Sequence, residues 1–289
     1  MIPEELRHPN NAASNGDLEG RPQAAGLLGL FRRHPVASAI VIFVIDIVIA
    51  VLTAIIVKAI VPPISMLPDF ITLCIITIPT VILITFLGWW RIIGCNQPAE
   101  WRNLKLLLLP ALLVLAPLVG GFKAVDVGTV VFLLVGYLLT GFYEEILFRG
   151  VLLRMLRPKG MWAAVLISSL LFGLIHSGNL FLRFSGNPVV VILQMIGAFT
   201  FGIGMAALRL RTNTIWPLML LHAAGDLFLA LGHLPVLLID PIRDTILLVY
   251  GIYLLRSSRR EELWADADTS TEMRSGTMTT SDASGRGYR

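Results

Sequence analysis

The chain has 289 residues, 56% of them hydrophobic and only 15% charged, with a mean hydropathy of +0.78 and a net charge of +4. A soluble domain carries roughly 25% charged residues, so this composition excludes a water-soluble globule, and with it a disordered chain, a collagen and a coiled coil. The basic residues stand singly or in small groups beside apolar runs, a topology signal rather than a nucleic-acid surface, and two cysteines, Cys74 and Cys95, cannot build the framework of a disulfide-rich secreted protein.

Residues 1–35, rich in Asn, Gly, Pro, Glu and Arg and without sustained periodicity, read as a flexible cytoplasmic tail. Apolar runs follow at 36–61, 70–90, 104–120, 129–148, 161–175, 189–208, 214–231 and 239–255. A span needs roughly 20 residues; the fifth and eighth runs are short, and Asp240, Arg243 and Asp244 stand near the start of the eighth. The expected fold is all-α: a polytopic membrane protein whose eight transmembrane helices, over residues 36–255, enclose an intramembrane polar cavity. Residues 256–289, turning to Arg, acidic residues and then Ser, Thr and Gly, read as a disordered cytoplasmic tail.

Cytoplasmic loops retain Lys and Arg. With the N-terminus inside, Arg32, Arg33, Arg91, Arg102, Lys105, Arg149, Arg154, Arg157, Lys159, Arg209, Arg211, Arg256, Arg259 and Arg260 fall on the cytoplasmic side, and only Lys58, Lys123, Arg183 and Arg243 fall outside. This alternation places both termini in the cytoplasm.

Ionisable groups at membrane depth are expensive, and each one is a functional candidate. They concentrate at Glu144, Glu145 and Arg149 in the fourth run, at His176 closing the fifth, and at His222 and Asp226 in the seventh. Neighbours on a helix point about 100° apart, so the two glutamates divide their work. Arg149, four residues after Glu145, is its expected ion-pair partner. Glu144 is left to face a cleft, where it can accept a proton from water. The bland alternative, that both carboxylates end a span and snorkel to the interface, fits poorly with the Leu147 and Phe148 that follow.

Arg157-Pro158-Lys159-Gly160 is a turn signal, and helices joined by a short turn lie antiparallel. Glu144 is 16 residues before Gly160 and His176 is 16 after it, so the two should meet at similar depth. His222 and Asp226 stack on one face of the seventh helix, where Ala223 and Gly225 keep it slim enough for a neighbour to approach. A capping histidine and an interhelical hydrogen bond are the structural readings of these two motifs. Asp46 in the first span has no accompanying motif and is expected to pair with Lys58 or with another helix. His8, His34 and His233 look solvated or interfacial.

Two imidazoles and a carboxylate on three helices match the ligands of a catalytic zinc, with His176, His222 and Glu144 as the candidate set. The same groups equally suit metal-free activation of water, Glu144 taking the proton while an imidazole or Asp226 steadies the oxyanion. Both readings stay open at this point. H-E-x-x-H, G-x-S-x-G, P-loop and dinucleotide fingerprints are absent from the sequence.

The set E-E-x-x-x-R at Glu144, Glu145 and Arg149, F-x-x-x-H at Phe172 and His176, and H-x-x-x-[ND] at His222 and Asp226 resembles the CPBP family of CAAX proteases and bacteriocin-processing enzymes, which includes the type II CAAX prenyl endopeptidases. The resemblance covers about residues 129–231. It implies a glutamate-dependent intramembrane metalloendopeptidase with a water-filled cavity, in which Glu144 is the general base, Glu145 and Arg149 its supporting pair, Phe172 a further support, and His176 and His222 the imidazoles of the site. Asp226 stands where the prenyl endopeptidases usually have Asn, and an ionised Asp cannot donate a hydrogen bond. It is therefore expected to orient His222, to ligate a metal, or to stay protonated.

The implied surroundings are the lipid bilayer, a bacterial plasma membrane, and a hydrophobic or prenylated peptide or membrane-protein substrate, with no nucleic acid. The first alternative is a non-catalytic membrane partner or bacteriocin self-immunity protein that keeps the site as architecture. The second, a proton-coupled transporter, lacks an evident internal repeat.

Overall fold

The computed structural model describes residues 22–62, 67–98, 100–182 and 187–257. Most of both expected tails, with His8, Arg183, Arg259 and Arg260, lies outside the described residues. The helices are α1 (Pro22–Arg33), α2 (Pro35–Ile60), α3 (Leu67–Leu87), α4 (Leu108–Leu115), α5 (Val127–Glu145), α6 (Leu153–Leu156), α7 (Met161–Ile175), α8 (Asn179–Leu182), α9 (Pro188–Thr212), α10 (Trp216–Leu231) and α11 (Val236–Arg256). Among the described residues there is no strand, only an isolated antiparallel bridge between Phe122 and Gly232. The chain is an all-α polytopic membrane protein.

Among the described residues six helical stretches are long and apolar enough to cross a membrane: Pro35–Ile60, Leu67–Leu87, Trp101–Gly120, Val127–Lys159, Met161–Gly178 and Pro188–Thr212. The expected count was eight. The seventh run is a helix of only 16 residues, Trp216–Leu231, and the eighth is a 21-residue helix with Pro241 inside it and Asp240, Arg243 and Asp244 along it. The lipid-facing character of the spans shows in α2, where Ile40, Val44, Val48, Leu52 and Ile55 are exposed while Ala39, Phe43, Asp46 and Val57 are buried. At 1.5 Å per residue, its 26 residues exceed the ~30 Å hydrocarbon core.

Local chemistry sets the helix ends. Asp126 caps α5, accepting from the Thr129 amide at 3.0 Å, and Thr129 Oγ1 donates to its other oxygen at 2.5 Å. The two hydrogen bonds from Thr129 hold the Asp126 carboxyl below its ordinary pKa. Asn187 caps α9, its side-chain oxygen accepting from the amides of Val189 and Val190, and Pro188 follows at the first helical position.

The central element runs from Val127 to Lys159 as α5, a π-helical turn over Ile146–Leu152, α6 and a short 3₁₀ turn. It ends at Gly160, whose φ of +91° is the left-handed region open to glycine, and α7 returns antiparallel to it. The fourth helix thus continues past Arg149 to the turn, the condition for Glu144 and His176 to share a depth. Its lower half is the core: Tyr143, Leu147, Phe148 and Leu152 pack with Phe172 of α7 and with Met205 and Leu208 of α9.

Small residues let the helices close on one another. A methyl on Gly141 of α5 would stand 2.6 Å from the Met219 carbonyl of α10 and 3.5 Å from Ala223 Cβ. Ala223 therefore does face a neighbour as expected. Gly225 faces neighbours less closely: a methyl there would meet Val114 Cγ2 and Arg243 Nη1 at ordinary contact distance.

Candidate active site

The α5–α10 contact at Gly141 brings the Glu pair against His222. Glu145 is fully buried, with 0% exposure, and accepts a 2.8 Å hydrogen bond from His222 Nδ1. Its Oε1 also lies 3.3 Å from Arg149 Nη1. That ion pair has the distance but not the alignment of a hydrogen bond, since Arg149 Nη1, Nη2 and Glu145 Oε2 are buried without hydrogen-bond partners. The guanidinium is held by an aromatic face instead, with its central carbon 3.9 Å from the centroid of the Phe172 ring. The expected Glu145–Arg149 pair is present, and it carries an imidazole as well.

With Nδ1 committed to Glu145, the other ring nitrogen of His222 looks toward Glu144 Oε2 at 3.5 Å and Asp226 Oδ2 at 3.7 Å. The side chains of Glu144 and Asp226 retain 16% and 32% exposure while that of His222 retains 8%. One nitrogen is thus anchored in the protein, and the other opens onto two carboxylates in the less buried part of the site. Such an anchored imidazole has a fixed orientation and tautomer, the condition for proton transfer at its free nitrogen.

His176 closes α7 and donates from Nδ1 to the Phe172 carbonyl at 2.9 Å. Phe172 is the hub between the motifs. Both imidazoles stand edge-on to its ring, with centroids 5.2 Å away for His176 and 6.0 Å for His222. The spacing of F-x-x-x-H is explained by this ring, which carries Arg149 on its face and orients two histidines at its sides.

Among the described residues no group of three or more His, Cys, Asp or Glu is arranged to hold a metal ion. The solvated reading of His34 and His233 agrees with their exposure.

Sequence reasoning missed three features. Arg243, expected in an outside loop, lies within α11, ion-paired to Asp240 at 3.2 Å and Asp244 at 3.1 Å. Its guanidinium is 5.7 Å from the Phe201 ring, which itself stands edge-on to His222 at 5.2 Å. The sequence carried a signal for it, because ionisable residues at i, i+3 and i+4 of an apolar run share one face. Second, Asp46 pairs with another helix, one of its two expected fates, rather than with Lys58, through a residue that sequence reasoning did not name. It accepts from Tyr143 Oη at 2.6 Å, and Lys58 pairs with Asp69 at 3.6 Å. Third, two of the cations counted as cytoplasmic are interior groups: Arg149, and Arg209, which is buried and donates to the Ile93 carbonyl and to Asn213 Oδ1. Cys95, in the same connection as Ile93, has its thiol pushed by burial to a pKa of about 11.

Residues 126–228 match the family described as Type II CAAX prenyl endopeptidase Rce1-like. The likeness is confined to this stretch, well under half of the chain. It begins at the cap of α5 and ends two residues after Asp226, so it contains every residue of the three motifs, while Asp46 and Arg243 lie outside it. The match agrees with the family assigned from those motifs, and it supports a CAAX-type protease in a multi-pass membrane protein. Comparison with curated proteins and with solved structures gave no match.

Proposed function

We propose that the chain is an intramembrane peptidase that hydrolyses a peptide bond in a hydrophobic or lipid-linked segment, without a metal, using Glu144 as general base. The observation that carries this reading is the position of Glu144 Oε2, 3.5 Å from a His222 ring whose far nitrogen is fixed by buried Glu145. Water on the open side of that ring gives a proton to Glu144 as its oxygen attacks the scissile carbonyl. The imidazoles of His222 and His176 face the oxyanion that forms. The proton then passes from Glu144 to the departing amine, which restores the carboxylate as the C–N bond breaks. Asp226, acceptor-only when ionised, orients His222 from the same side as Glu144 rather than donating to the oxyanion. A prenylated peptide is one candidate substrate, by the family's description. The same reading keeps both termini on the cytoplasmic side of a bacterial plasma membrane, supported by the exposed basic residues Arg32, Arg33 and Arg91.

The test is cleavage of a hydrophobic peptide library by purified protein, read by mass spectrometry, with Glu144→Gln beside the wild type. Loss of a general base should lower the rate by about 10²–10⁴-fold. Equal cleavage by the variant would remove Glu144 from the chemistry. Treatment with a chelator is expected to leave the wild-type rate unchanged, and activity lost on chelation and restored by zinc would overturn the metal-free part.

A further inference from the structure

Three consecutive residues at the end of α5 are held in three different ways. Tyr143, with 2% exposure, reaches away from α10 to Asp46 of α2. Glu145, with 0% exposure, reaches to His222 of α10 and to Arg149. Glu144 lies between them and is the only one of the three carrying appreciable exposure. Successive side chains on a helix are separated by about 100°, so Tyr143 and Glu145 fix the rotation of the helix at two directions about 200° apart and leave Glu144 no azimuth of its own to choose.

This clamp sits where the helix needs one. Directly after Glu145 the backbone changes to the π-helical turn Ile146–Leu152, a rare local form concentrated at functional sites. The change of register there shifts the azimuth of side chains across the junction, and the side chains of the turn before it are held from two sides. On the α10 side the hold is the His222–Glu145 hydrogen bond. On the α2 side it is a single bond from a phenol to a carboxylate, at the short distance of a charge-assisted hydrogen bond. Asp46 is itself buried in a span, a costly place for a carboxyl group, and lies beyond the residues that match the family.

We propose that Asp46 is a positioning residue for Glu144: through the Tyr143 hydroxyl it locks the α5 end in the rotation that points Glu144 at His222. The inference rests on the reading of Glu144 as the reactive carboxylate, and its test does not require turnover. Purified protein in detergent is treated with a hydrophobic carbodiimide, and the labelling rate of Glu144 is followed by peptide mass spectrometry in wild type, Asp46→Asn, Asp46→Leu and Tyr143→Phe. Asn keeps an oxygen that can accept from Tyr143, whereas Leu and Phe each remove one end of the bond.

The expected result is a several-fold change in Glu144 labelling in Asp46→Leu and in Tyr143→Phe, no further change in their double variant, and a wild-type rate in Asp46→Asn. Should Asp46→Leu fail to fold, Tyr143→Phe and Asp46→Asn carry the same comparison. Wild-type labelling in Tyr143→Phe, or a rate in Asp46→Asn as altered as in Tyr143→Phe, would overturn the proposal. Where a substrate is cleaved, Tyr143→Phe should lower kcat with KM unchanged. Undiminished cleavage by Glu144→Gln would instead overturn the peptidase reading and leave the outcome of the labelling experiment intact.

Discussion

The α2–α3 hairpin and the seam between α5 and α10 both carry acids at membrane depth, but they dispose of them differently. In the hairpin, Asp46 has one phenol for a partner, and the hydroxyls of Thr72 and Thr77 donate back to carbonyls of their own helix. In the seam, Glu145 serves two partners, His222 faces three carboxylates, and buried atoms of Arg149 and Glu145 have no hydrogen bond. Apart from the Asp46 bond to α5, the hairpin spends its polar groups locally and shows apolar side chains to lipid. The seam tolerates incompletely satisfied groups because packing around Phe172 and close approach at Gly141 hold them, and this is the condition of a site that can exchange protons with a substrate.

Breaking the seam should cost far more than breaking a helix end. Arg149→Ala leaves Glu145 buried beside His222 without its cation, and removing one partner of a buried pair costs about 3–5 kcal/mol; thermal unfolding in detergent should show it as the largest drop of the set. Gly141→Val drives a side chain into the Met219 carbonyl, and overpacking of this kind costs about 1–3 kcal/mol. It should also reduce activity, because the same contact sets the distance between Glu144 and His222. A variant with unchanged stability would mean that α5 and α10 do not approach as described.

Outside the seam the effects shrink. Asn187→Ala removes the cap of α9, worth about 1 kcal/mol, and should lower the unfolding temperature without touching cleavage. The smallest effect concerns pH. Asp126 is held below its ordinary pKa by Thr129, so its contribution is present above the unfolded carboxylate value and is lost as pH falls through the lowered folded value. The protection factor of the amides in the first turn of α5, with the intrinsic pH dependence of exchange divided out, should therefore fall on acidification in the wild type and stay constant in Asp126→Asn. Equal pH dependence in both proteins would contradict the cap.

Much of this was legible in the chain. Composition and apolar runs gave the membrane helices, and the helical path past Arg149 to the Gly160 turn, on which the expected matching depth of Glu144 and His176 depends, is present. The i, i+4 rule paired Glu145 with Arg149. What the pattern could not carry was which partner each group takes across helices. Glu145 rather than Glu144 holds His222 most closely because the rotation of α5 is set by Tyr143 and Gly141, and no spacing rule reads rotation. The π-helical turn escaped for the same reason, since its residues are as uniformly apolar as those of an α-helix in lipid. Arg243 was misread because a charge near the start of a run counts as a loop residue unless its own helix continues through it. The eighth run does continue, with Pro241 inside it.

The division of labour between the two adjacent carboxylates underlies everything proposed for the seam, and one paired experiment addresses it: cleavage rate and unfolding temperature for Glu144→Gln and Glu145→Gln, purified side by side. Glu144→Gln should unfold like the wild type and fail to cleave, while Glu145→Gln should unfold at a clearly lower temperature because His222 and Arg149 lose their shared anion. Two variants with the same unfolding temperature and the same residual cleavage would show that the carboxylates share one role.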